Sequence, residues 1–262
     1  MRKILFYPDA QIPYHNPNQL KALHAFTSEW EPDEVVIIGD FMDFPQPSQW
    51  SKGTKSEFES GVERDSETGR KILADLRGRV DGKVSFIEGN HDLRPRAYLT
   101  RYAPALAESR AFHIATLLDF GGLGVDQVAD WYEFTPGWIA THGHLGLSLS
   151  TISGRTAVNA AKKIGRSVVM GHVHRLAVSS ETTGYQGKAT TLTGVEVGHI
   201  MDVRPGKTPP YLKTGMANWQ SGFAVAYVDG SHVQPVLVPM NSAGGFTFEG
   251  DTYTKDGKSY VR

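Results

Sequence analysis

The sequence predicts an α/β protein, a two-sheet α/β sandwich with helices on its outer faces. Two observations predict it. Over roughly the first two thirds of the chain, short apolar runs alternate with stretches of helical periodicity, as in a mainly parallel sheet covered by helices. From Leu176 onward the pattern becomes alternating strands rich in Val, Thr and Gly, which suits antiparallel pairing. The chain has 262 residues, 40% hydrophobic and 21% charged, enough for one large domain with a full core.

Taken in order, ILFY at residues 4–7, Val35–Ile38 and Val84–Ile87 read as buried strands. Asn16 followed by Pro17 starts a helix whose apolar positions run to Trp30. Residues 57–76, EFESGVERDSETGRKILADL, read as a second, largely solvated helix. After Asp92 the pattern loosens into short helices around AYLTRYAPALAESRAF and IATLLDF, with GGLG as a loop. WIATHGH and SVVMGHVH each supply a strand running into a loop, with the helix TAVNAAKKIG between them. LAVSSETTG, KATTLTGVEV, SGFAVAYVDG and HVQPVLVP read as an antiparallel set, with a hairpin turn at Asp229 and Gly230. The expected organisation is a single domain over residues 1–240, with 93–135 a candidate cap-like insertion, and a weakly packed tail over 241–262 that is poor in apolar residues.

Composition narrows the chemistry. There is no cysteine, so thiolate nucleophiles, disulfides and thiolate zinc sites are excluded, and His, Asp, Asn and Gln remain as metal ligands. The formal net charge of -1 gives no global attraction to nucleic acid or membrane, so stable duplex DNA binding is not expected. MRKILFYPDA is too short an apolar run for a signal peptide, and no stretch approaches eighteen apolar residues. A soluble cytoplasmic protein is the expectation.

The polar residues at the strand ends carry the functional signal. VVIIGDFMDF puts Asp40 after an apolar run and Asp43 three positions later; VSFIEGNHD puts Asn90, His91 and Asp92 after another. WIATHGH places His142 and His144, and SVVMGHVH places His172 and His174, at two more. Loops at the carboxyl ends of strands in an α/β sheet converge on one crevice. They would pool Asp9, Gln11, Asp40, Asn90, His142, His172 and His174 there as a metal site. Two neighbouring divalent cations need a bridging carboxylate, for which Asp40 is suited, and neutral imidazole and amide donors to complete each shell. Glycines 39, 89, 143 and 171 sit beside these candidates, where the backbone must turn or approach closely.

These segments resemble the motifs of the calcineurin-like metallophosphoesterases: PDAQ, GDFMD, GNHD, THGH and GHVH occur in family order over residues 9–174. Any one is weak, but the ordered set is specific. The resemblance implies the two-sheet fold and hydrolysis of phosphomonoesters or phosphodiesters. It implies that Asp9 and His174 bind one metal, that Asp40 bridges, and that Asn90, His142 and His172 hold the other. It also implies that His91 is a catalytic residue facing substrate, oriented by Asp43. The cofactor it implies is a pair of divalent ions, manganese first, with nickel, iron, zinc or magnesium as alternatives.

Gln11 stands where most of the family has histidine, which should make the first metal more exchangeable. This Asp-x-Gln form, with the run after GNHD that contains RPRAYL, is similar to phage-borne members, and for a phage protein the host cytoplasm is the expected location. Arg94 and Arg96 are candidate substrate-binding residues able to hold phosphate by forked contacts, with a solvated helix face as the alternative. Phe44 replaces the arginine found here in the protein-phosphatase branch, which argues against a phosphoprotein substrate. His15 and His199 are weaker candidates for the crevice, and packing is the expected role of Tyr14, Trp50 and Trp219, with stacking on a base as the alternative. The expected function is a phosphodiesterase acting on a nucleotide phosphate ester, such as a 2′,3′-cyclic nucleotide or an RNA end. The alternatives are a phosphomonoesterase or DNA nuclease, and a non-catalytic binding scaffold of the same fold.

Overall fold

The computed structural model describes residues 1–204, 206, 207, 212 and 217–259. In chain order the elements begin β1 (Arg2–Tyr7), α1 (Pro17–Trp30), β2 (Glu34–Ile37), α2 (Val62–Arg77), β3 (Lys83–Phe86), α3 (Arg94–Tyr102), α4 (Ile114–Leu117), α5 (Phe120–Leu123) and β4 (Asp126–Gln127). There follow β5 (Tyr132–Thr135), β6 (Trp138–Thr141), α6 (Arg155–Ile164), β7 (Ser167–Met170), β8 (Leu176–Tyr185), β9 (Lys188–Val197), β10 (Gly222–Asp229), β11 (His232–Pro239), β12 (Phe246–Phe248), β13 (Asp251–Thr254) and β14 (Gly257–Ser259).

The two sheets run β11-β10-β1-β2-β3-β4 and β5-β6-β7-β9-β8. β1 shows why they stack. Its side chains alternate between faces, so Leu5 and Tyr7 join Leu23, Phe26 and Leu73 under α1 and α2, whereas Ile4 and Phe6 join Val169, Val195 and Trp138 of the second sheet. A third cluster, with Ala157, Ala161 and Met170, seats α6 on the far side. Each fully buried Leu, Ile or Phe contributes roughly 1.5–3 kcal/mol, so β1, apolar on both faces, ties both interfaces together.

α1 starts where its sequence requires. Asn16 Oδ1 accepts from the backbone N–H groups of Asn18 and Gln19 at 3.0 and 3.3 Å, and Pro17 occupies the first turn. The second helix begins later than the sequence suggests, at Val62. GGLG is not all loop: Gly121, Gly122 and Leu123 join Phe120 in the short helix α5, capped by Asp119 Oδ1 on the Gly122 N–H at 3.2 Å, and Gly124 ends it.

Three further expectations are corrected. The strands after Leu176 do not form one antiparallel set: β8 and β9 make a hairpin in the second sheet, with β9 parallel to β7, while β10 and β11 extend the first sheet beside β1. Residues 93–135 are not a cap throughout: β4 pairs parallel with β3 and Ile114, Leu118 and Phe120 belong to the main core, whereas α3 buries only Pro95 and stays outside it. Nor are the described residues of the tail weakly packed. Phe246, Phe248 and Tyr253 surround Phe26 with ring centroids 5.6, 5.1 and 5.2 Å away. Few apolar residues suffice there because they are large aromatics, alternating on a strand so that Phe246 and Phe248 face one side. Among the described residues no helix is long and apolar enough to cross a membrane.

Candidate metal centre

β1, β2, β3, β6 and β7 are parallel neighbours within their sheets, so their carboxyl ends open on one edge of the sandwich. There the backbone becomes unusual. Gln11, Asp40, His172 and His174 all have positive φ, of 53°, 48°, 66° and 56°. L-residues adopt this region at a cost, and such strain clusters where side chains must be aimed. Gly39, at φ 97°, passes so close to His142 that a Cβ would stand 2.7 Å from its Nδ1. At Gly89 a Cβ would stand 2.2 Å from the Asp40 backbone nitrogen. Only glycine permits these loops to interlock.

The side chains they aim converge in two groups. Donor atoms of Asp9, Asp40 and His174 lie within 4.8 Å of one another, and so do those of Asp40, His142 and His172; Asp40 belongs to both. Asp9 and Asp40 are buried, and among the described ion pairs only imidazoles face them: His174 Nε2 is 3.1 Å from Asp9 Oδ2, and His142 Nε2 3.2 Å from Asp40 Oδ2. Buried carboxylates without a lysine or arginine partner are costly unless a cation completes the group.

The donor set fits a divalent metal on hydrogen-bonding grounds. His142 Nδ1 lies 3.0 Å from the Ile38 carbonyl, which can only accept, so Nδ1 carries the proton and Nε2 presents its lone pair. That lone pair faces Asp40 Oδ2 and, at 3.1 Å, Asn90 Oδ1. Acceptors meeting acceptors call for a positive charge between them. Asp9 Oδ1 and Gln11 Oε1 are likewise buried without a hydrogen-bond partner.

The electrostatics agree. Burial by itself would push the His142 imidazole down, but the Asp40 carboxylate, reinforced by Asp9 and Asp92, holds it up at about 9. A divalent cation would supply the same charge and displace that proton. Burial and the neighbouring His142 lower His172 to about 4, leaving it neutral and able to donate its lone pair.

His91 lies beside this centre. Its backbone N–H donates to Asp40 Oδ1 at 2.8 Å, its Nδ1 is 3.3 Å from Asp43 Oδ2, and its Nε2 is 3.1 Å from an Arg94 terminal nitrogen. Arg94 also donates to the Asp43 carboxylate and carbonyl, at 2.7 and 2.8 Å. The guanidinium has donors only, so His91 Nε2 accepts from it and the ring proton sits on Nδ1, toward Asp43. Arg94 therefore braces the His91–Asp43 pair while lining a cavity of about 580 Å³. Arg96 is not brought there. Two positions along a helix is about 200° of rotation, so Arg96 points away and donates to Glu88 Oε2 at 3.0 Å.

Gln11 departs from the expected ligand geometry in one respect. Its Nε2 donates to Asp40 Oδ2 at 3.0 Å, so the amide nitrogen is spent on the carboxylate shared by both groups and only its buried, unpartnered oxygen is left to meet an ion. His15 stays outside both groups and bridges Met201, and His199 is buried against His174 with its Nδ1 accepting from the Met201 N–H. Two further contacts complete the site. Asp92 accepts from the N–H groups of Met42 and Gly89, both at 2.9 Å, locking the GDFMD and GNHD loops together. Trp219 packs edge-on against His174, with centroids 4.5 Å apart. The Asp that ends GNHD signalled the first without a role assigned to it; the second is the packing expected of Trp219, with a partner, His174, that only the fold supplies.

The chain is similar to known proteins over most of its length. Residues 2–176 match the family model described as calcineurin-like phosphoesterase. The chain is 46% identical over 252 residues to the Gene 54 protein of Mycobacterium phage L5, covering 95% of this chain and 97% of that one. The Gene 54 protein of Mycobacterium phage D29 is 45% identical over 255 residues, covering 96% and 98%. Among solved structures, Vps29 of Chaetomium thermophilum aligns over 97% of this chain and all of its own, at 12% identity and a TM-score of 0.49. With the match running from the first strand through the GHVH loop, and two mycobacteriophage proteins similar over nearly their whole length, the chain belongs to the calcineurin-like phosphoesterase family.

Proposed function

We propose that this protein is a dinuclear metal-dependent phosphoesterase that cleaves phosphodiesters, with nucleotides as the substrate class. The observation that carries the reading is the sharing of Asp40 between the two donor groups. Asp9, His174 and, through its oxygen, Gln11 would hold one ion; Asn90, His142 and His172 would hold the other; Asp40 would bridge. The ions, manganese first, would supply Lewis-acid activation of a water nucleophile and neutralise phosphate charge.

The protein's own groups do the rest. His91, held by Asp43, faces the reaction centre and protonates the leaving oxygen. For that its Nε2 must carry a proton, so Arg94 has to give up its contact there, and a substrate phosphate oxygen is a stronger acceptor for the guanidinium than a neutral imidazole. Arg94 thus both positions His91 and binds substrate.

Two features favour a diester over a monoester. Cavities of about 580 and 340 Å³ both reach His91, the first with Asn90 and Arg94 and the second with Asp40 and His172, room for two substituents on phosphorus. Gln11, a weaker metal donor than imidazole, would leave the first ion more loosely held and less able to neutralise a dianionic monoester, which suits a monoanionic diester. The phage relatives support a role in the infected host cell, and the net charge of -1 favours small or single-stranded substrates over duplex DNA. The test is metal titration by calorimetry together with hydrolysis of bis-p-nitrophenyl phosphate and p-nitrophenyl phosphate. Two equivalents of metal and faster diester turnover are expected. Full turnover after chelation would refute the mechanism, and faster monoester turnover would refute the diester preference.

A further inference from the structure

We propose that the larger cavity is a nucleoside subsite, in which a base stacks on Trp50 while the phosphate lies at His91; this rests on the phosphoesterase reading above. The cavity runs from Asn90, His91 and Arg94 to the loop after β2, and its size of about 580 Å³ is that of a small-molecule site. Packing does not explain Trp50, which is 81% exposed yet lines this cavity.

The loop that carries Trp50 is held in place. Lys52 Nζ sits 4.0 Å from the centre of the Tyr102 ring, and Arg101 donates to Gln49 Oε1 at 2.6 Å, fastening the loop to α3. The indole is thus presented on a braced wall, as a stacking platform requires.

The polar lining selects among occupants. Gln46, only 9% exposed, lines the cavity with its Oε1 buried and lacking a hydrogen-bond partner. Ser, Thr and Tyr14 hydroxyls surround it, and Glu59 adds a carboxylate. The hydroxyls of Ser51 and Thr54 are already bonded within the loop, but an acyl chain would leave the buried Gln46 Oε1 unsatisfied. A second phosphate would meet Asp43 and Glu59, and Arg94, the one permanent cation among the described lining residues, is already engaged by Asp43 and His91. A neutral, flat group with hydroxyls and ring nitrogens matches: a stacking face for Trp50 and hydrogen bonds for the wall.

The test uses two esters with the same leaving group, thymidine 5′-(p-nitrophenyl phosphate) and methyl p-nitrophenyl phosphate. Trp50→Ala, a change at an exposed side chain, should lower kcat/KM for the nucleoside ester by roughly tenfold and leave the methyl ester within about twofold. Equal losses for both, or none, would overturn the subsite. A second measurement is independent of turnover: saturation-transfer NMR should show thymidine bound to the wild type and not to Trp50→Ala. Trp50-dependent thymidine binding by a protein that hydrolyses neither ester would support the subsite and refute the phosphoesterase. Hydrolysis of both esters without thymidine binding, or binding of methyl glucoside in its place, would refute the subsite alone.

Discussion

Two histidine–aspartate pairs in this chain have the same chemistry and opposite surroundings. His24 Nδ1 lies 2.6 Å from Asp75 Oδ2, and its Nε2 lies 3.1 Å from the Tyr7 hydroxyl. Tyr7 and His24 are buried, so the imidazole of a Tyr–His–Asp chain that would look catalytic at a surface is closed between β1, α1 and α2, with only Asp75 reaching solvent. His91 also leans on an aspartate, but it lies at the carboxyl ends of the strands and opens on both cavities. In the first pair each ring nitrogen has a permanent partner inside the protein. In the second, the Nε2 contact is with an arginine that a phosphate can claim. Placement relative to the strand ends, and not residue type, separates a pair sealed into the packing from one that faces the donor groups.

The largest effect should come from the residue common to both donor groups. Asp40→Asn is expected to abolish hydrolysis and lower occupancy of both metals, read by elemental analysis beside the activity assay. Loss of one metal alone would show that Asp40 does not bridge. Next, His91→Ala should cost roughly 10² to 10⁴ in rate with both metals retained, whereas a lost metal would make His91 a ligand. His24→Ala should leave kcat unchanged, and a rate loss comparable to that of His91→Ala would collapse the distinction between the pairs.

Arg94→Ala should reduce activity by roughly 10- to 100-fold, as for other groups that orient a neighbouring side chain, and should lower kcat as well as raise KM because His91 loses its brace and substrate loses a contact. Arg96→Ala, at a side chain turned to Glu88, should change little. If the two variants behave alike, Arg94 acts only as structure. Gln11→His is expected to act more gently, tightening metal binding and raising monoester relative to diester turnover. Unchanged metal affinity and an unchanged substrate ratio would mean that the amide is a neutral replacement.

The smallest effect on function, yet measurable in stability, is at the closed pair. Removing His24 strands the Tyr7 hydroxyl and should cost about 2 kcal/mol in denaturant unfolding. The sign of the pH dependence follows from the shifts. Burial lowers the His24 pKa, so as pH falls below about 6.5 the unfolded chain takes up a proton that the folded one refuses. The hydrogen bond from His24, helped by Arg79, holds Asp75 below the usual carboxylate range, so its contribution is present above about pH 4 and is lost in stronger acid. Both make the fold weaker in acid, and His24→Ala should flatten the first part of that decline.

The features legible in the amino-acid order are local: apolar runs of strand length, the Asn16–Pro17 helix start, and acids, amides and imidazoles placed just beyond strand ends. Strand burial and backbone exit are encoded by neighbouring residues, so Asp9, Asp40, Asn90, His142, His172 and His174 can be grouped from the sequence alone. The features that required folding depend on contacts between distant segments. The rotation of α3 separates Arg94 from Arg96, although both follow the same motif. Gln11 Nε2 donates to Asp40, a pairing across 29 positions that no local pattern announces. The described tail, read as loose from its low apolar count, is held by the ring of aromatics around Phe26, because burial depends on which surfaces meet and not on how many apolar residues a segment contains.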